Sequence, residues 1–160
     1  MNRHPAYIIA PVSGPSPEVV AWNIARACAL ARLAIREGLA PICVHAMVDP
    51  IFGGESPAAR AIGLDVDEAL VGLVARSTSG RLLVLLRDDG NASEGMLREW
   101  GVWRRARALT PLSAIRAGVG VEVATWAAWR ARFVSAGMER VWAEHEDPIV
   151  PQLRARGVEW

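Results

Sequence analysis

Glu99 lies in the stretch NASEGMLREW, residues 91–100, directly after the apolar run RLLVLL. With successive residues set about 100° apart, as in a helix, Glu99 falls among Val102, Gly95, Ala106, Trp103, Met96 and Trp100. Arg98, Arg104 and Arg105 fall on the opposite side, and Arg107 stands near the edge of the apolar arc. An ionised carboxylate inside such an arc costs several kcal/mol unless it is paired or faces a cavity. Pairing with Arg60 or Arg81 would make it a buried strut; a cavity would make it a reacting group. Ser93 stands as the N-cap of the same helix with Gly95 behind it, so free backbone N–H groups are available to an anion or a hydroxyl. An anion cradle with a carboxylate roughly one turn further in suits a small phosphorylated sugar, and spacing alone does not name the reaction.

Two other groups could carry chemistry. His45 ends an apolar segment, PICVH, where it is either a satisfied structural histidine or a ligand contact. Asp88 and Asp89 precede Gly90 and read as a solvated turn, open to a substrate hydroxyl. A metal site built from His45 with Asp49 or Asp67 lacks any H-x-x-x-H or C-x-x-C spacing, so neither a metal nor a cofactor is expected.

The elements that must hold these groups can be read from apolar runs and stop signals. AYIIA is a short buried strand ending in PVSGPSP, where Ser16 and Pro17 are the N-cap and first residue of a helix running toward Gly38. APICVH is a second strand. MVDPIFGGESPAARAIG reads as a long loop with a helical turn after Ser56 and Pro57, and a helix is predicted from Asp65 to Ala75. RLLVLL is a third strand, followed by a helix from about Glu94 to Arg107. ALTPLS reads as a short fourth strand and VGVEVA as a fifth, with one or two helices from Thr125 to His145. The tail DPIVPQLRARGVEW is loosely ordered or docks on a partner.

Apolar strands alternating with helices imply an α/β fold: a four- to five-stranded parallel sheet covered on both faces. Ligands of such sheets bind at the carboxyl ends of the strands. Here those edges are PVSGPS, VHAMVDP and DDGNASEGM.

The bulk composition narrows the class of function. The 160 residues suffice for one ordinary domain, with 52% hydrophobic residues and a formal net charge of +1. That balance gives no reason to expect nucleic acid or a membrane as partner. Every one of the 18 basic residues is an arginine, which excludes a lysine Schiff base and a phosphate-loop lysine. Cys28 and Cys43 are too unlike a close-spaced pair for a disulfide framework and read as buried thiols. No segment resembles a signal-peptide core or a membrane span, so a cytoplasmic location is expected. Trp100, Trp103, Trp126, Trp129 and Trp142 recur at helical spacings, as core packing or as a subunit interface.

The opening YIIAPVSG, Asn23 in the first helix, PICVH, and above all Ser93-x-Gly-x-x-x-Glu99 resemble the nucleoside 2-deoxyribosyltransferase-like superfamily. The likeness is greatest to small phage and bacterial members with the pattern S-x-G-M-x-x-E. It covers roughly residues 6 to 112, with SEGMLRE as its most specific element.

The resemblance implies a flavodoxin-like, Rossmann-like three-layer sandwich spanning residues 1–160, with a C-terminal helical extension from about residue 125. It implies that Glu99 is a nucleophile attacking C1′ of a ribose or deoxyribose and expelling the base, which water or a second base then replaces. The activity would be that of a nucleotide N-glycosidase or a deoxyribosyltransferase; a nucleotide-sensing module with the same pocket and no turnover is the other expectation. Tyr7, Ser13 and Gly14 at the first strand edge, His45 at the second, and Ser93, Gly95 and Met96 at the third would bind the substrate. Asp67, with Asp65 as the other candidate, would serve the leaving base. The acid that many relatives carry before the third strand is absent from STSG, residues 77–80. Members acting on unphosphorylated nucleosides typically have aspartate six residues before the glutamate, and nucleotide hydrolases serine. Ser93 therefore implies a nucleoside 5′-monophosphate. A homodimer or larger homo-oligomer is expected, as is common in the superfamily.

Overall fold

The computed structural model describes residues 3–44, 56–109 and 120–135. Four strands, β1 (His4–Ile9), β2 (Leu39–Ile42), β3 (Arg81–Leu86) and β4 (Val121–Thr125), form one parallel sheet in the order β2-β1-β3-β4. This is the order of a flavodoxin-like, doubly wound α/β sheet. Four helices are described: α1 (Pro17–Arg36), α2 (Pro57–Arg76), α3 (Glu94–Ala108) and α4 (Trp126–Ser135). Together they make a three-layer sandwich.

Side-chain alternation along the central strands assigns the layers. Ala6, Ile8, Ala10, Leu83 and Leu85 pack with α1 and with Trp126 and Trp129 of α4. Tyr7, Ile9, Leu82 and Val84 face the other way and pack with α2 and α3. In register, Tyr7 of β1 lies between Ile42 of β2 and Leu82 of β3. Its hydroxyl therefore enters the α2/α3 layer from the middle of the sheet.

The helix starts follow the local chemistry. Ser16 accepts a hydrogen bond from Val19 N at 3.4 Å, with Pro17 supplying a preset φ at the helix start. Gly14 is required beside it: a β-carbon there would collide with the Val19 side chain. The second helix starts at Pro57, eight residues before the expected Asp65. The Ser-Pro start signal and the alanines of PAARAIG outweigh the cost of one helical glycine, and Gly63 is buried in the packed face.

At the far end of α3, Arg107 Nη1 donates to Ala75 O at 2.8 Å and Ser77 O at 2.9 Å, so the arginine at the edge of the apolar arc caps the C-terminus of α2. The expected short strand ALTPLS is corrected at its start. Ala108 is the last residue of α3 and Leu109 its C-cap, because the helical run continues without a stop signal; residues 110–113 lie outside the described residues. Val121 to Ala124 of the expected strand VGVEVA fall in β4, and the helix after it is described to Ser135. Among the described residues no helix is long and apolar enough to cross a membrane.

Candidate functional site

Three polar side chains meet between the sheet and the α2/α3 layer. Glu99, on the inward face of α3, is 3% exposed, and Asp67, on that of α2, is 5% exposed. Tyr7 is fully buried and its hydroxyl donates to Asp67 Oδ1 at 3.4 Å. The period that turns Glu99 inward also turns Asp67 inward: Gly63, Asp67, Val71 and Val74 form one buried stripe of α2, whereas Asp65 is exposed.

The electrostatics of this group are set by burial. Desolvation, with repulsion from Asp67 added, pushes the Glu99 carboxyl up to about 9. Burial also raises Asp67, to about 6, although the Tyr7 hydroxyl works in the opposite sense by favouring the carboxylate. Tyr7 is raised far above the usual phenol range by burial and by the negative charge of both acids. Glu99 Oε2 is buried with no hydrogen-bond partner among the described residues. Of the two arginines considered as partners, Arg81 lies 3.6 Å from a different acid, Glu122, and the Arg60 side chain lies outside those described. At neutral pH the pair therefore holds a proton, and it resides on Glu99, since Asp67 is the acid that the tyrosine hydroxyl solvates.

Ser93 caps α3 in a reciprocal arrangement. Its hydroxyl accepts from Met96 N at 3.4 Å, and its own N–H points to Met96 Sδ at 3.5 Å. Open space surrounds the position a β-carbon of Gly95 would take, so the described residues leave the first turn accessible. Next to it, Ala92, Met96, Leu97 and Trp100 of this segment and Ile9, Val84, Leu86 and Val123 of the sheet line an open apolar recess of about 150 Å³. Met96 is otherwise a core residue, 3% exposed.

The remaining expected residues scatter. Ser13 is exposed and contributes its carbonyl to Asn23 Nδ2 at 3.3 Å. Gly14 is accounted for by close packing on Val19. His45, and Asp49 with it, lies outside the described residues; among those described, no group of three or more His, Cys, Asp or Glu side chains is arranged to hold a metal ion. The fold thus brings Tyr7, Asp67 and Glu99 together, and places Ser93, Gly95 and Met96 on the same helix closer to the strand edge.

One feature escaped the sequence reading. Arg26, on α1, is 8% exposed and forms an ion pair with Asp88 beyond β3. The available signal was its position within AWNIARACALARLA, on the face that α1 turns to the sheet.

Comparison with known proteins adds a family and one curated relative. Residues 4–109 match a family described as "Domain of unknown function (DUF7768)". A 4-diphosphocytidyl-2-C-methyl-D-erythritol kinase of Methylobacterium radiotolerans is 32% identical over 151 residues, 89% of this chain and 50% of that protein. The chain thus spans about half the length of the curated relative it matches. No solved structure matches the chain.

Proposed function

The chain belongs to the DUF7768 family, and from the meeting of Tyr7, Asp67 and Glu99 we propose that it cleaves the base–sugar bond of a nucleoside 5′-monophosphate. The observation that carries this reading is the interior Glu99 carboxyl with an unpartnered oxygen, beside a second acid and on a serine-capped helix. A carboxyl left in that state costs folding energy that no described contact recovers, as expected of a group kept for chemistry.

The proton held by the acid pair gives the order of events. Glu99 passes its proton to Asp67 and its carboxylate forms the bond to C1′ while the C1′–N bond breaks, its electron pair going to the base. Asp67 returns the proton to that base nitrogen. Water then attacks C1′, Asp67 takes a proton from it, and Glu99 leaves as carboxylate, so one water is consumed and the free base and sugar phosphate are released. If a second base replaces the water, the same steps yield transfer. Tyr7, donating to Asp67, keeps that acid ready to receive a proton near neutral pH. The free amides after Ser93 and its hydroxyl receive the phosphate, where an aspartate would repel it.

A non-catalytic nucleotide-binding module built on the same residues is the second reading. It is favoured by the Glu99 pKa of about 9, because a protonated acid donates a hydrogen bond instead of attacking carbon. The kinase activity of the relative is not carried across: the match spans half of that protein, and this sequence contains no lysine to contact a nucleotide's phosphates in the manner of a phosphate-binding loop. A cytoplasmic setting fits two cysteines of which neither is in a disulfide.

Incubation with a panel of nucleoside 5′-monophosphates separates the readings. Release of free base, abolished in Glu99→Gln, is expected. Thermal stabilisation by a monophosphate without base release would replace the enzyme by the binding module.

A further inference from the structure

Two loops at the carboxyl edge of the sheet are tied to α1 by side chains three residues apart. Asn23 Nδ2 donates to Val12 O at 3.4 Å and Ser13 O at 3.3 Å, holding the loop after β1. Arg26 Nη1 donates to both oxygens of Asp88, at 3.0 and 2.9 Å, holding the loop after β3. The Arg26 guanidinium also lies against two indole rings, 4.5 Å from the centre of Trp22 and 5.6 Å from that of Trp126, the first residue of α4. Those rings meet edge to face at 6.4 Å.

The energetics of this tie are unusual for an ion pair. The Arg26 side chain is 10% exposed and that of Asp88 66%, so the arginine is desolvated for a partner that water still screens. Its Nε is buried without a partner among the described residues. A rim arginine would supply the same attraction without that burial. What the buried, ring-packed guanidinium adds is a fixed direction.

That direction reaches the candidate site through a short, internally bonded turn. Arg87 N donates to Asn91 O at 3.1 Å, Gly90 N to Arg87 O at 2.9 Å, and Asn91 N to Asp89 Oδ1 at 2.9 Å. Only Ala92 then separates the turn from Ser93, the N-cap of α3.

We propose that Arg26 is a positioning residue: by fixing Asp88 it sets where Ser93 and the first amides of α3 stand toward the ligand's phosphate. Its mechanical part stands on the contacts above; its consequence for substrate rests on the reading given under Proposed function.

Asp88→Asn, changed at the exposed end of the pair, and Arg26→Lys, which keeps the charge but not the flat guanidinium packed against the two indoles, test it in the 160-residue chain. Hydrogen exchange of the unliganded proteins is expected to quicken about tenfold at residues 88–96 while the amides of β1 and β3 keep their protection. Unchanged exchange in the loop, or an equal increase throughout, would overturn the proposal, as would Arg26→Lys behaving like the wild type. For base release from a monophosphate, both variants should raise KM about tenfold with kcat nearly kept, since the phosphate is bound alike in ground and transition states. A fall in kcat with KM unchanged would also overturn it. If the wild type releases no base and binds no monophosphate, the functional reading fails, and the exchange measurement still decides whether Arg26 positions the loop.

Discussion

Glu99 and Asp67 both bind their protons more tightly in the folded chain than in the unfolded one, and the consequence is a stability that depends on pH. The contribution of Asp67 is fully present below about 3.8 and is lost as pH rises through about 6; that of Glu99 is fully present below about 4.5 and is lost as pH rises through about 9. Unfolding free energy should therefore fall by up to about 1.4 kcal/mol per pH unit across the Glu99 window. Glu99→Gln, which cannot ionise, should flatten that slope and be more stable than the wild type at pH 9, while losing all base release. Denaturant titrations at several pH values check the first point; a slope that survives the substitution would mean that the buried proton sits elsewhere. Tyr7→Phe removes the donor to Asp67 and should cost about 1 kcal/mol of stability. It should also raise the Asp67 pKa further, visible in a carboxyl carbon NMR titration and as an upward shift of the acid limb of any activity profile.

The caps of the helices separate folding from recognition. Serine and aspartate serve equally as N-caps, so Ser93→Asp should leave the melting temperature nearly unchanged, whereas Ser93→Ala should cost about 1 kcal/mol. Only the aspartate, however, places a negative charge where a phosphate is proposed to sit. Ser93→Asp should thus move preference from monophosphates toward nucleosides, read by calorimetry with paired ligands. Equal affinity of the wild type for both ligand classes, or an unchanged preference in the mutant, would refute the phosphate assignment. Gly14→Ala belongs to the same level with the opposite signature: its β-carbon strikes Val19, and the expected cost of about 1–3 kcal/mol falls on stability with no dependence on ligand. Both helix starts, at Ser16 and Ser93, were legible in the sequence because an N-cap acts within three residues. The start of α2 at Pro57 is less legible, because the helical turn after Ser56 and Pro57 runs on through Gly63 into the helix predicted from Asp65.

Across the molecule, the tryptophans show how a sequence pattern can serve two uses. Trp22, Trp103, Trp126 and Trp129 are buried within the one chain, Trp100 is half-buried beside the apolar recess, and Trp142 and Trp160 lie outside the described residues. Most of the described indole surface is therefore spent on the two cores. Exposed apolar side chains remain at Leu97 and Val123, which are 58% and 50% exposed next to that recess. We keep a homo-oligomer as a proposal: light scattering at micromolar protein should give a multiple of 17.3 kDa, and a monomer mass would count against it.

Strand identity, helix periodicity and the inward face of Glu99 depend on residues within a few positions of one another, and local pattern was enough to read them. The alternation of apolar runs and helices likewise implied a parallel sheet, since parallel strands need crossovers. The partners of Glu99 were a different matter. Tyr7 and Asp67 are separated by 60 positions, and Arg26 and Asp88 by 62. Whether such residues touch depends on β1 lying between β2 and β3 and on the register that sets Tyr7 beside Leu82. Strand order and register arise from the packing of all layers at once, so local spacing could turn Asp67 inward and Asp65 outward but could not show that Asp67 meets Tyr7, or that an arginine on α1 holds the loop that leads to Ser93.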